Sequence, residues 1–287
     1  MKAIFKHEMN MYFTSISGYV FGTFVLLFAG IYTVAANVSS QLGNFEYVPS
    51  SMVFIFIAII PVLTMRMIAE ERRQKTDQLL YSLPISMTKV VLGKFFAALV
   101  ILAIPVGIMC IYPLVLRAFG PVTFSMAYGS LLGFFLLGAS LISMGMFISS
   151  LTESQAVAAG ACFVLMLFNY FITALAKLLP VQPKWSLIAI AVVAALVALF
   201  IWVMTKSWPT SVGGFAVAMA VAGILYKHNR TPFINLFPRV VPNISLFSRF
   251  STYINGVLDL SGVVYTVSVT AFFIFLTVQS LEKRRWS

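Results

Sequence analysis

The sequence predicts an all-α polytopic membrane protein with about eight transmembrane helices. Hydrophobic residues make up 61% of its 287 residues and charged residues only 9%, whereas a soluble domain is about 45–50% apolar and about 25% charged. Long apolar runs, most of them near the roughly 20 residues that a helix needs to cross a bilayer, alternate with short polar segments. Lys and Arg lie mainly at the ends of these runs, as orientation signals do, so the net charge of +11 does not indicate a nucleic-acid partner.

The amino-terminal residues predict a helix that lies on the membrane surface. Residues 1–15 interleave charged and aromatic side chains at helical spacing, among them Lys6, Glu8 and Tyr12, which is typical of an interfacial helix. Residues 16–287 are predicted to form a single transmembrane domain. Its predicted spans cover about 16–36, 51–68, 90–116, 124–149, 156–179, 185–204, 211–226 and 263–281.

Two of the spans carry pairs of small residues that let another helix approach closely. These pairs are Gly18 with Gly22 in the first span and Gly129 with Gly133 in the fourth. The span at 211–226 has about 16 residues, which is short against the roughly 20 required. It is therefore either tilted in a thin region of membrane or re-entrant.

The segment 69–89 concentrates charge in a chain that has little of it. It begins with the acidic and basic residues Glu70, Glu71, Arg72 and Arg73, and it continues with an apolar stripe before Pro84 formed by Leu79, Leu80 and Leu83. One interpretation is a solvated loop that sets the topology. The other is a docking element for a soluble partner, since a charged helical extension of a span would hold the apolar stripe away from the bilayer.

The distribution of basic residues predicts which side of the membrane the termini occupy. Eight spans place both termini on one side, and twelve of the 19 Lys and Arg residues would lie there against seven opposite. This bias predicts cytosolic termini. The region 227–262 would then be an external loop, and its prolines and aromatic residues predict short interfacial or re-entrant helices.

The motifs that the sequence lacks exclude several functions. It contains no GxxxxGK[ST], HExxH or GxSxG pattern, so we expect no P-loop, no catalytic residue, and no cofactor or metal ion bound by this chain. The acidic residues fall at span ends or in loops, which argues against an ion-driven carrier and for an external energy source. An integral membrane enzyme acting on lipid is the less favoured alternative, because no His or acidic residues cluster.

Three stretches resemble one transporter family. The run Ile68–Lys94, IAEERRQKTDQLLYSLPISMTKVVLGK, resembles the segment after the second span in type-2 ABC exporter permeases. Phe247–Trp286 and the amino-terminal Phe5-Lys6-His7-Glu8 resemble the gliding-motility-type branch of that family. The family core has six spans, so residues 185–230 would be an insertion of two further spans.

This resemblance implies a transmembrane permease subunit of an ATP-driven exporter in a bacterial plasma membrane. It implies a second permease, identical or homologous, and a dimer of separate ATPase subunits that bind ATP and Mg. Residues 70–83 would act as the coupling helix, Thr152 and Glu153 as a second cytosolic contact, and 227–262 as a re-entrant lid. The alternative is a non-transporting membrane subunit of an ABC-type complex that serves signalling or mechanical work.

Overall fold

A computed structural model describes residues 1–40, 43–76, 85–178, 243–255 and 259–285, together with the isolated positions 191, 213, 216, 219 and 220. The regular structure of this part of the chain is entirely helical, which confirms the all-α prediction. The helices are α1 (Lys2–Thr14), α2 (Ile16–Thr33), α3 (Tyr47–Thr64), α4 (Ala69–Arg73), α5 (Met87–Met109), α6 (Tyr112–Arg117), α7 (Phe124–Leu151), α8 (Gln155–Leu178), α9 (Leu246–Ile254) and α10 (Leu260–Arg285). A π-helical turn, Val34–Val38, continues α2.

Six helical segments of the described chain are long and apolar enough to cross a membrane. They are Ile16–Val38, Tyr47–Arg73, Met87–Arg117, Phe124–Leu151, Gln155–Ala176 and Leu260–Arg284. The two additional predicted spans, 185–204 and 211–226, lie outside the described residues apart from a few isolated positions. A total of eight spans therefore stays a prediction.

The chain divides into two compact units. The first comprises Met1–Tyr170 and Leu246–Ser287, and the second comprises Phe171–Ser245. The second unit is described at the end of α8, at the isolated positions and at residues 243–245.

Helix α7 forms the centre of the first unit, where it packs against α3, α5, α9 and α10. It is the most buried of the six apolar segments, because glycines along its length allow close approach. A Cβ atom added at Gly138 would lie 2.6 Å from Leu102 of α5. The Phe134 ring of α7 stacks on Phe56 of α3, with 4.1 Å between ring centroids. The small residues therefore set the distance between helices, and the aromatic rings fill the space beside them.

The short helix α9 lies within the region predicted to hold interfacial or re-entrant helices. Its first backbone N–H, at Leu246, donates to the side-chain oxygen of Asn169 on α8 at 3.1 Å. At its other end the Tyr253 ring presses against α7, where a Cβ at Gly133 would lie 2.6 Å from the ring. One face of α9 is therefore tied to the bundle, which explains the burial of Phe247, Phe250 and Tyr253.

Candidate functional site

The break between α3 and α4 creates the framework of the site. Residues 65–68 leave the helical path, so the start of α4 has backbone N–H groups without partners inside the helix. Ser149 of α7 provides the missing acceptor. Its hydroxyl oxygen accepts hydrogen bonds from the backbone N–H groups of Ile68 at 3.2 Å and Ala69 at 3.0 Å. The same hydroxyl donates to the Met65 carbonyl at 3.2 Å. One side chain thus holds both ends of the break against α7.

Arg72 makes a second connection, between α4 and the turn that joins α7 to α8. Its guanidinium donates to the Ser150 carbonyl and to the Glu153 carboxylate, each at 2.9 Å. The Arg72 side chain is 4% exposed, whereas the Glu153 side chain is 71% exposed. The buried half of this contact is a charged hydrogen bond, and the exposed half is an ion pair weakened by solvent.

Lys94 makes a third connection, which joins three separate elements. Its ammonium on α5 donates to Glu8 of α1 at 2.6 Å and to Glu71 of α4 at 2.7 Å. The Lys94 and Glu8 side chains are 2% and 3% exposed, while that of Glu71 is 28% exposed. A buried charge is stable only when it is paired, so this cluster fixes α1, α4 and α5 relative to one another.

A cavity of about 530 Å³ opens beside this charge cluster. Glu8, Glu71 and Lys94 line it together with Arg66 and Tyr12. Burial, reinforced by the negative charge of Glu8, raises the pKa of Tyr12 above its usual value. The cavity therefore presents both a hydrogen-bond donor and several charges at the junction of α1, α3, α4 and α5.

The site is a set of polar contacts around one short charged helix, α4. Within the described residues no group of three or more His, Cys, Asp or Glu side chains could hold a metal ion. The three connections instead attach one short charged helix to three neighbouring elements.

The model of the family described as ABC-2 family transporter protein matches residues 2–183, more than half of the chain. The protein belongs to the ABC-2 transporter family. It is accordingly a transmembrane permease component of an ABC transporter, with multi-pass topology. No curated protein matches its sequence. The match concerns the family as a whole, so the gliding-motility-type branch stays a prediction.

Several residues that the sequence predicts for ATPase docking in this ABC-2 permease meet at the site. Glu71 and Arg72 take part in the connections described above, while Glu70 is half-buried and accepts from Gln74 at 3.3 Å. Arg73 is exposed. The predicted leucine stripe, Leu79, Leu80 and Leu83, lies outside the described residues.

The predicted second cytosolic contact, Thr152 and Glu153, lies directly beside α4. Arg72 pairs with Glu153, so the α7–α8 turn and α4 are joined by side chains. Thr152 instead accepts locally, from the backbone N–H of Ser154 at 3.2 Å. Of this predicted pair, only Glu153 bonds directly to α4.

The four glycines predicted to pack helices have different surroundings. A Cβ at Gly133 would meet the Tyr253 ring, and one at Gly129 would lie 3.7 Å from the Tyr253 carbonyl oxygen. Gly18 faces the backbone of Tyr12 at the end of α1, so it permits a tight turn between α1 and α2. No described atom lies within 4 Å of a Cβ at Gly22.

Sequence reasoning missed Glu8, Lys94 and Ser149 as site residues. The residues of the Glu8–Lys94 pair are 86 positions apart, and no local pattern connects them. One signal was available: Lys94 lies inside a predicted span, and an ionisable residue there implies a partner. Ser149 carried no such signal, since serines are common near the ends of membrane helices. This serine matters only because the helical path between α3 and α4 is interrupted beside it.

Proposed function

We propose that this ABC-2 permease is the membrane subunit of an ATP-driven exporter in a bacterial plasma membrane, with both termini in the cytosol. It would pair with a second permease, identical or homologous, and with two separate ATPase subunits that bind ATP and Mg. Family membership supports the ABC assignment, and the lack of a P-loop motif in the sequence supports a separate ATPase. The gliding-motility-type branch is the subfamily that we propose.

The observation that carries this proposal is the threefold attachment of α4. Ser149 ties this five-residue helix to α7, Arg72 ties it to the α7–α8 turn, and Lys94 ties it to α5, which Glu8 in turn joins to α1. A segment that transmits movement from a soluble ATPase must be attached to the transmembrane helices that it moves. We therefore propose that 69–89 is the coupling segment and that α4 attaches it to these helices.

The apolar stripe should provide most of the docking energy. An exposed ion pair contributes only about 0–1 kcal/mol, whereas burying a leucine side chain contributes about 1.5–3 kcal/mol. Leu79, Leu80 and Leu83 are therefore proposed to enter a cleft on the ATPase. The charges at Glu70 and Arg73 would set the orientation more than the affinity.

Co-purification of the permease with a P-loop ATPase partner tests the docking proposal. We expect Leu79→Asp or Leu80→Asp to leave the permease inserted and monodisperse but to release the ATPase. The matched control is Thr76→Asp, which places the same charge at an exposed position of the same segment, outside the leucine stripe. Arg73→Ala should weaken transport without full dissociation. A stoichiometric complex that survives Leu79→Asp combined with Leu80→Asp would overturn the coupling assignment.

Thiol labelling in intact cells tests the orientation. In a background without Cys110 and Cys162, we expect Lys75→Cys and Thr152→Cys to resist a membrane-impermeant reagent. Phe119→Cys lies between α6 and α7 at a position that is 85% exposed, so it should label readily. Rapid labelling at Lys75→Cys with protection of Phe119→Cys would reverse the proposed topology.

A further inference from the structure

Lys94 is the point at which the amino-terminal helix and the proposed coupling segment meet. Its ammonium lies 2.6 Å from a Glu8 oxygen and 2.7 Å from a Glu71 oxygen. The two carboxylates belong to α1 and α4, and the lysine belongs to α5. If α1 or α4 moves relative to α5, the ion pair between that helix and Lys94 must either break or pull the Lys94 side chain with it.

The two ion pairs differ in their access to solvent. The Glu8 side chain is 3% exposed, so its carboxylate would lose its partner without gaining water. The Glu71 side chain is 28% exposed and lines the cavity of about 530 Å³. A carboxylate in that position can exchange its bond to Lys94 for water, and it has room to move. Separation at Glu71 is consequently the less costly of the two.

The charge balance also indicates that the Lys94–Glu71 ion pair is the one that opens. Lys94 with both glutamates forms a cluster with one excess negative charge, whereas Lys94 with Glu8 alone is a neutral buried pair. Release of Glu71 therefore leaves no unpaired charge inside the protein. Release of Glu8 would leave a carboxylate buried among α1 and α5 without a partner, which is strongly disfavoured.

We propose that Lys94 is a positioning residue with one permanent and one releasable ion pair. The pair with Glu8 keeps α1 on α5, and the pair with Glu71 holds α4 until the coupling segment moves. This inference rests on the proposed function and deepens it, because it identifies the contact that opens when the ATPase acts. It assigns α1 and α5 to one rigid body and α4 to the moving element.

Distances between spin labels in the permease alone test the two ion pairs of Lys94, called its two arms, separately. One label pair, Asn10→Cys with Lys75→Cys, reports on α1 relative to the end of α4. The other, Asn10→Cys with Lys89→Cys, reports on α1 relative to α5. All three positions are exposed, and the background lacks both native cysteines.

We expect Glu71→Gln to broaden and shift the α1–α4 distance distribution and to leave the α1–α5 distribution unchanged. Glu8→Gln should broaden the α1–α5 distribution. The matched control is Glu70→Gln, which removes the neighbouring half-buried carboxylate on the same helix and should change neither distance. If Glu71→Gln disturbs both distances equally, or neither, the two-arm proposal is refuted.

Removal of the lysine gives a second, independent result. Lys94→Met should broaden both distance distributions, whereas Lys94→Arg should restore much of the wild-type result. Lys89→Met, an exposed lysine on the same helix, serves as the control with the Asn10 and Lys75 labels and should have no effect. Unchanged distances in a folded Lys94→Met protein would overturn the proposal.

The assembled complex shows which bond opens. Addition of ATP and Mg to the permease–ATPase complex should change the α1–α4 distance while the α1–α5 distance stays fixed. A change confined to α1–α5 would refute the assignment of Glu71 as the releasable arm. Failure of any ATPase to bind would instead contradict the proposed function, and the permease-alone distances would still decide the role of Lys94.

Discussion

Replacing Arg72 with methionine is the most direct test of how α4 is attached to the bundle. Methionine keeps a long apolar side chain but cannot donate to Ser150 or pair with Glu153. The Arg72 side chain is 4% exposed, so solvent cannot replace the lost hydrogen bond to the Ser150 carbonyl. We therefore expect Arg72→Met to destabilise the permease without emptying the space that the arginine stem fills.

The two contacts of Arg72 contribute unequally. A hydrogen bond from a charged donor is worth about 1.5–3 kcal/mol, and the one to Ser150 is buried. The ion pair ends on a Glu153 side chain that is 71% exposed, so it adds only about 0–1 kcal/mol. Arg72→Met should thus lower the free energy of unfolding by about 2–3 kcal/mol, and Glu153→Gln by less than about 1 kcal/mol.

Chemical denaturation in mixed micelles, followed by intrinsic fluorescence, measures these differences in free energy of unfolding. Arg73→Met is the matched control, because the neighbouring arginine is exposed and its loss should change the stability by less than about 0.5 kcal/mol. The reasoning is refuted if Arg72→Met costs no more than Arg73→Met. A cost equal to that of Glu153→Gln would show that the exposed ion pair, and not the buried hydrogen bond, carries the attachment.

Ser149→Ala leaves two buried N–H groups without their acceptor, so it should lower the free energy of unfolding by about 1–3 kcal/mol. The control Ser143→Ala should cost much less, because the Ser143 hydroxyl donates to the Ser140 carbonyl of its own helix. Equal costs for the two variants would contradict the bridging role of Ser149. Gly133→Ala should cost about 1–3 kcal/mol through its clash with Tyr253, whereas Gly22→Ala should not destabilise the protein, and the reverse order in thermal unfolding would contradict the packing. The purified permease alone should hydrolyse no ATP above background in a phosphate-release assay, and hydrolysis by a preparation free of any second subunit would contradict the separate-ATPase proposal.

The positions of the apolar helices could be predicted from the sequence because they depend on local composition. A run of apolar residues near 20 in length has few alternatives to a membrane helix, and six predicted runs correspond to the apolar helices of the described chain. Breaks inside those runs were harder to locate. The run predicted at 90–116 is divided at Cys110–Ile111, where Pro113 in the first turn of α6 has no N–H to continue the preceding helix.

The contacts of the charged residues were decided by tertiary structure. The local charge pattern singled out Glu71 and Arg72, yet their partners lie 23 and 81 residues away along the chain. Such pairings arise only when helices pack, since a periodic pattern records which residues share a face and not which face they meet. The buried position of Glu8 has the same origin, because a helix with an interfacial pattern gives no indication that α5 will cover it.

The sequence by itself determined that this protein is helical, that it resides in a membrane, and that residues 69–89 carry an unusual concentration of charge. Each of these properties follows from composition over a short window, where the free energy of transfer into lipid outweighs other effects. Only the tertiary structure decided that Ser149, Glu153 and Lys94 converge on α4. The physical reason is that a buried polar or charged group must find a partner wherever packing places one, and helix packing brings together residues that are far apart in the chain.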